Sequence, residues 1–188
     1  MAGTASPLYT QRDLNCLSDP DRSTRKRTLE KISKDLGSLA KKPAEFTPEV
    51  AHKSLDDLHK PLLKCMRDQA EKCREISVMI LASLFPLVKD PAPFIADTVA
   101  GIRERLGSIP QSEESEEVRL EVLKLLGVLL LLCPLTSREH LNEVVVILEM
   151  ACLDKFPEAK RLSADMIVSL CATEVNPHSS ILNPRPRP

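Results

Sequence analysis

Apolar residues recur along this chain at helical spacing, in paired runs separated by short polar turns. Leu29, Ile32, Leu36 and Leu39 stand three or four residues apart, which places them on one face of a helix from about Ser23 to Leu39. Val50, Leu55, Leu58, Leu62 and Met66 form the next stripe. Ile76, Met79, Ile80 and Leu84 form another, widened by Val78, Leu81 and Phe85. Phe94, Val99, Ile102 and Leu106 follow, then Val122, Leu125, Leu126 and Leu129 with Leu123 and Leu130 on a second side. Leu141, Val144, Val145 and Leu148, and finally Leu162, Met166 and Leu170, close the series. A shorter first helix carries Leu8, Leu14 and Leu17. Helices that are apolar on more than one side are covered on more than one side, as the inner helices of a stacked array are.

Start and stop signals frame these runs. Ser6-Pro7 and Thr47-Pro48 each set a capping residue before a proline at the first helical position. Asp90-Pro91-Ala92-Pro93 opens the fifth helix. Ser115 caps a helix over Glu116–Leu132, with Glu116 and Glu117 in the first turn, where the helix dipole favours them. Thr136-Ser137-Arg138-Glu139 reads as a capping box. The helix opening at Glu71 is expected to reach Leu87, and the last to run from Pro157 to Ala172. Pro61 is expected to kink or break its helix.

One short pattern recurs. Cys16-Leu17, Cys65-Met66 and Cys152-Leu153 each precede a polar turn and, nine residues after the cysteine, an arginine: Arg25, Arg74 and Arg161. A looser copy uses Leu106, a turn about five residues longer, and Arg119. Positions 25, 74, 119 and 161 are separated by 49, 45 and 42 residues. Seven residues after each arginine lie Ile32, Leu81, Leu126 and Val168; eight after lie Ser33, Ala82, Gly127 and Ser169. A branched apolar residue beside a small one suggests a helix backbone that a neighbour approaches closely. A period of about 40–47 residues with two helices per unit marks a helical solenoid. The predicted fold is all-α: a right-handed α-solenoid of about four HEAT-type helical hairpins over 6–172, with units at about 6–42, 47–88, 90–134 and 136–172. An ordinary helical bundle with coincidental spacing is the alternative.

The stretch 173–188 differs in kind. It holds prolines at 177, 184, 186 and 188 and is expected to be a disordered, Pro-rich tail. It offers no capping repeat to cover Met166, Ile167, Val168 and Leu170, so the chain reads as a truncated product of a longer repeat protein.

Composition narrows the function classes. Five glycines, 3% aromatic residues and no tryptophan speak against a strand-rich fold. A net charge of −1 from 26 basic and 27 acidic side chains gives no overall field for nucleic acid or an anionic membrane. The six cysteines show neither CxxC nor metal spacing, which fits a reduced compartment, the cytosol or nucleus. Met1 to Ser6 carries no secretory signal. The longest apolar run, Leu125 to Cys133, falls well short of the ~20 residues a membrane span needs. His52, His59, His140 and His178 form no ligand motif; His52 and His59 stand two helical turns apart, ~10.8 Å of rise, too far to share one metal. No phosphate loop and no G-x-S-x-G is present. No catalytic, cofactor or metal site is expected.

Arg22, Lys26, Arg27, Lys31 and Lys34, with Lys41 and Lys42 beyond, make one face of the second helix basic. This is the candidate face for an acidic or phosphate-bearing partner. The plainer reading is a solvated outer face, because Glu30 and Asp35 interrupt it and no aromatic residue interleaves to stack on bases.

The turn-plus-arginine register over about 6–172 resembles HEAT repeats. That resemblance implies a structural ladder between successive units, built from Asp19 and Arg25, Asp68 and Arg74, Arg119, and Asp154 and Arg161. The third unit shows no acidic residue at the expected offset, so the ladder is expected to break there; a substrate role for the arginines is the alternative. Three strings resemble the N-terminal repeats of the HEAT-repeat dynein axonemal assembly factor family, number five of that series: Leu62 to Arg74, Glu117 to Gly127, and Cys152 to Pro157. Their order and spacing match as well, including the insertion before Arg119; the tail departs from the family pattern, where another repeat should follow. The resemblance implies a cytoplasmic, non-enzymatic factor for preassembly of axonemal dynein arms, with axonemal dynein chains and cytosolic chaperones as partners. The alternatives are another HEAT scaffold, for nuclear transport or phosphatase assembly, and a nucleic-acid-binding repeat using Arg22–Lys42 with steep salt dependence.

Overall fold

The computed structural model describes residues 8–42, 44–133 and 139–175. Its helices are α1 (Gln11–Cys16), α2 (Arg22–Leu39), α3 (Pro48–Cys65), α4 (Glu71–Leu84), α5 (Ala92–Leu106), α6 (Glu116–Leu132), α7 (Leu141–Cys152) and α8 (Pro157–Val175), with a 3-10 turn over Phe85–Leu87. No strand occurs among the described residues. α2, α4, α6 and α8 stack in sequence as one layer, and α3, α5 and α7 as the other; each even-numbered helix also packs on the helix before it. The chain is therefore an all-α solenoid of helical hairpins, and each hairpin covers the apolar face of the one before.

Local chemistry sets the boundaries. α1 starts at Gln11 because Thr10 and Asp13 form a reciprocal capping box. The start expected at Ser6-Pro7 and the capping box expected at Thr136 lie outside the described residues. Thr47 caps α3 by accepting the Val50 N–H, and Ser115 caps α6 by accepting the Val118 N–H. α3 passes through Pro61 as one helix: the missing N–H deprives the Asp57 carbonyl of its helical partner, while Leu58, Leu62 and Leu63 on either side stay buried in the core. α4 stops at Leu84, short of the expected Leu87, because Pro86 tightens the chain into the 3-10 turn. α8 runs to Val175, so Thr173, Glu174 and Val175 are helical where a tail was expected; the rest of the tail, 176–188, lies outside the described residues.

The core follows the helical stripes. Leu29, Ile32 and Leu36 of α2, Leu55, Leu58 and Leu62 of α3, and Ile80, Leu81 and Leu84 of α4 are buried. Ile95, Val99 and Ile102 of α5, Val122, Leu126 and Leu129 of α6, and Val144, Ile147 and Leu148 of α7 continue the same core. Gly127 of α6 faces its layer neighbour α8: a Cβ there would stand 3.0 Å from the Met166 Cε.

Candidate functional site

The chemistry of this molecule concentrates at the turns between the two helices of each hairpin. In the first turn the Asp19 carboxylate accepts the Asp21 N–H at 2.8 Å. Arg25, near the start of α2, donates Nη1–H to the Asp19 and Pro20 carbonyls at 2.7 and 2.9 Å. Its Nε and Nη2 reach out of the unit and bind both oxygens of Asp68, at 2.5 and 2.9 Å. The second turn repeats the device. Asp68 accepts the Ala70 N–H at 2.8 Å, and Arg74 donates Nη1–H to the Asp68 and Gln69 carbonyls at 2.9 and 3.2 Å. Arg74 then reaches the next unit and binds Glu113 through Nε and Nη2, both at 2.7 Å. In the third turn Glu113 accepts the Ser115 N–H at 3.0 Å. Arg119 holds the Glu113 and Glu114 carbonyls at 3.2 and 2.8 Å and both oxygens of Asp154 at 2.7 and 2.8 Å. Asp154 closes the series by accepting the Phe156 N–H at 2.9 Å.

Each arginine thus does two jobs with one planar fork. It fastens its own turn by two carbonyls and clamps the following turn by a bidentate carboxylate, geometry that lysine cannot reproduce. The forward clamp explains why an arginine near a helix start pairs with an acid some 35 to 43 residues later.

The electrostatics match the geometry. Burial pushes the Asp68 carboxyl up, but the Arg25 bond and the Ala70 N–H outweigh it, and the net direction is down. Asp154 behaves alike, with Arg119 and the Phe156 N–H overcoming burial. In Glu113 burial is opposed by Arg74, Arg105 and the Ser115 N–H, and the net direction is again down. Arg25, Arg74 and Arg119 are shifted up, first by the carboxylate each one binds. The pairs are largely withdrawn from water: the Glu113 side chain is 0% and the Asp154 side chain 1% exposed.

Glu113 corrects the expected break in the third unit. It occupies the acidic position and takes a second cation, Arg105, at 2.7 Å. Counting forward from Leu106 misses it because the longer turn intervenes; counting back from the arginine finds it, since 113 to 119 is the same step as 19 to 25 and 68 to 74. Two terminal members stand outside the rungs. Asp19 has its backbone N–H bond but no cation among the described residues, and Arg161 is exposed with no ion pair among them. No described turn follows Arg161 to present an acid.

The basic face of α2 is less free than its sequence suggests. Lys31 reaches back to Asp13 of α1 at 2.5 Å, and Lys26 lies 3.5 Å from Glu30. Arg22, Arg27 and Lys34 are exposed without an ion pair among the described residues. Arg22 and Lys26 also line a shallow hollow with Ser23, Ala70 and Lys72, which gathers cations and one hydroxyl but no histidine or carboxylate.

A polar contact that sequence reasoning missed lies between α3 and α5. His59 is buried, its Nε2 is 2.8 Å from Thr98 Oγ1, and its ring meets Phe85 and Phe94 edge-on. Burial pushes the imidazole pKa down. No group of His, Cys, Asp or Glu among the described residues is placed to hold a metal ion. All six cysteines are free; Cys65 and Cys73 are buried and Cys171 is exposed. No helix among the described residues is long and apolar enough to cross a membrane.

Comparison with known proteins places this geometry. The family described as Dynein axonemal assembly factor 5-like, TPR repeats, matches residues 16–181. Dynein axonemal assembly factor 5 of Xenopus laevis is 32% identical over 152 residues, covering 81% of this chain and 18% of that protein. The Homo sapiens protein of the same name is 30% identical over 113 residues, 58% of this chain and 13% of its own length. The Drosophila melanogaster one is 27% identical over 122 residues, 61% and 14% respectively. The chain therefore spans less than a fifth of each of these relatives. No solved structure matches. The family description speaks of tetratricopeptide repeats, whereas the ladder arginines at 25, 74 and 119 stand 49 and 45 residues apart, longer than the ~34 residues of that repeat and close to the HEAT period.

Proposed function

This chain belongs to the dynein axonemal assembly factor 5-like family of helical repeats, and on that basis we propose that it is a non-enzymatic scaffold segment in the cytoplasmic preassembly of axonemal dynein arms. The observation that carries this reading is the family match over residues 16–181, which takes in the turns of all four hairpins. The geometry supports it. Three bidentate clamps join successive hairpins into one extended body, and an extended helical array offers a long surface to a large client. The polar chemistry is spent on holding units together, and no described hollow gathers groups that would turn over a substrate. The proposed partners are axonemal dynein chains and the cytosolic chaperones that attend them. Arg22, Arg27 and Lys34, the α2 cations left unpaired, are the proposed contact residues for acidic segments of such a partner; Lys26 and Lys31 contribute less because Glu30 and Asp13 already hold them.

Affinity capture from extracts of multiciliated cells tests this, with the 188-residue chain as bait beside an Arg22→Glu, Arg27→Glu, Lys34→Glu variant. The expected result is recovery of axonemal dynein chains and chaperones by the wild-type bait, reduced by the charge reversals. Recovery of nuclear-transport or phosphatase components instead would overturn the assignment in favour of another scaffold. Capture of nucleic acid with a steep dependence on salt would overturn it in favour of the nucleic-acid reading.

A further inference from the structure

The first turns of α2 and α4 leave a hollow between the first two hairpins. α2 lines it with Arg22, Ser23 and Lys26, and α4 lines it with Ala70 and Lys72. Cations from two successive units therefore meet around one serine hydroxyl, and no carboxylate lines the space. Helix spacing explains the α2 side: Lys26 follows Arg22 by four residues and Ser23 by three, so the three side chains share one face. The cations are held only loosely. Lys26 lies 3.5 Å from Glu30 and Lys72 lies 2.8 Å from Glu75, each partner on the lysine's own helix. Both lysines are half-exposed, and such pairs are screened by water and salt. Arg22 has no ion pair among the described residues. Ser23 is exposed, and its hydroxyl has no hydrogen bond among the described residues. The Thr24 hydroxyl, by contrast, donates to Asp21, and the Ser38 hydroxyl donates to the Lys34 carbonyl. At about 310 Å³ the hollow has room for a phosphate group and several waters of about 30 Å³ each.

We propose that Ser23 is a phosphorylation site whose phosphate is received by Arg22, Lys26 and Lys72. The step takes a protein kinase and a nucleoside triphosphate. The Ser23 oxygen bonds to the γ-phosphorus as the bond from that phosphorus to the β-phosphate oxygen breaks. The nucleoside diphosphate leaves with the electron pair, and the hydroxyl proton is released. The product places a charge of about −1.5 to −2 in the first turn of α2, where the helix dipole favours an anion. Asp21 is the nearest acid in sequence, but its carboxylate is turned to the Thr24 N–H and hydroxyl. Across the hollow, Lys72 belongs to the next hairpin, so a phosphate shared between Lys26 and Lys72 ties α2 to α4 by charge-assisted hydrogen bonds. Arg25 and Asp68 already join the same two hairpins. The phosphate is thus a second clamp at that junction, one that a kinase sets and a phosphatase removes. The inference goes beyond the dynein assignment and holds whichever client the chain serves.

The test compares the full chain carrying phosphoserine at position 23, installed during synthesis, with the unmodified chain. Phosphorylation should raise the melting temperature by about 3 °C at low ionic strength, and most of the gain should vanish near 0.5 M salt, roughly where screening reaches contact distance. In a Lys72→Ala chain the gain should fall to about half or less, each phosphorylated form being compared with its own unmodified form so that the effect of the substitution itself cancels. Phosphoserine at position 38 is the control: Ser38 lies in the last turn of α2, where the dipole disfavours an anion, so no rise is expected. A second measurement maps phosphate by mass spectrometry after the full chain is incubated with ATP and a cytosolic extract, and it should find Ser23 modified. Equal melting temperatures with and without the Ser23 phosphate would overturn the proposal, as would a gain that Lys72→Ala leaves intact. Phosphate mapped to other hydroxyls with Ser23 unmodified would also overturn it. So would a saturable rise of the unmodified chain with inorganic phosphate that phosphoserine at 23 fails to reproduce, since the hollow would then take a free anion instead.

Discussion

Arg119 shows what one residue does here. Its guanidinium is almost wholly withdrawn from solvent, with 9% of the side chain exposed, and it satisfies two carbonyls of its own turn and both oxygens of Asp154. Removing one partner of a buried pair strands the other charge. Arg119→Ala should therefore destabilise the fold by about 3 kcal/mol in urea unfolding. Arg119→Ala with Asp154→Ala should cost less than the two single changes added together, which a double-mutant cycle reads directly. His59 gives a prediction in pH. Its pKa is pushed down in the folded chain by burial, so as pH falls the unfolded chain binds the proton first. Stability should decline below about pH 6.5, the ordinary histidine value, and the decline should flatten once pH passes below the folded value. His59→Phe should remove that part of the decline between pH 7 and 5, because Thr98 keeps its own bond to the Phe94 carbonyl. The ladder arginines were legible in the sequence because their register is fixed by the helices that follow them. Glu113 was not legible from the cysteine side, since the longer turn moves the acid relative to Leu106 but not relative to Arg119. His59 and Thr98 were illegible for another reason: their pairing depends on which faces of α3 and α5 meet, and no local spacing encodes that.

At the scale of the element, the small residue that follows each branched one becomes a packing statement. Gly127 of α6 lies against α8, with the flexible end of Met166 over it. Gly127→Ala should be neutral or stabilise by up to ~1 kcal/mol, because the helix gains propensity and the Met166 methyl can move a few tenths of an ångström. Gly127→Ile should destabilise by about 1–3 kcal/mol through overpacking. Thermal unfolding of the two variants distinguishes this from a merely permissive glycine, for which both would be tolerated. Helix extents followed the stripes closely where Thr47 caps α3 and Ser115 caps α6. They departed where a proline intervened: Pro86 ends α4 early because it falls just past the helix's last full turn, whereas Pro61 leaves α3 continuous. The sequence shows a proline but not how much tertiary packing stands ready to carry the helix past it.

For the whole molecule, the clamps turn four hairpins into a quasi-one-dimensional body in which each unit depends on its neighbours. The stacking order, the two layers and the inter-unit reach of the arginines follow from a period visible in the chain, while the identity of the client does not, because a solenoid surface records no partner in its spacing. Amide hydrogen exchange on the full chain, wild type against Glu113→Ala, tests most directly whether the ladder couples the units through the third turn. Glu113 holds Arg74 of the second unit together with Arg105 of its own. Its loss should speed exchange at least about tenfold, the equivalent of ~1.4 kcal/mol, in both α4 and α6. Faster exchange confined to the turn 107–115, with α4 and α6 unchanged, would contradict a continuous ladder and leave the hairpins held by apolar packing alone.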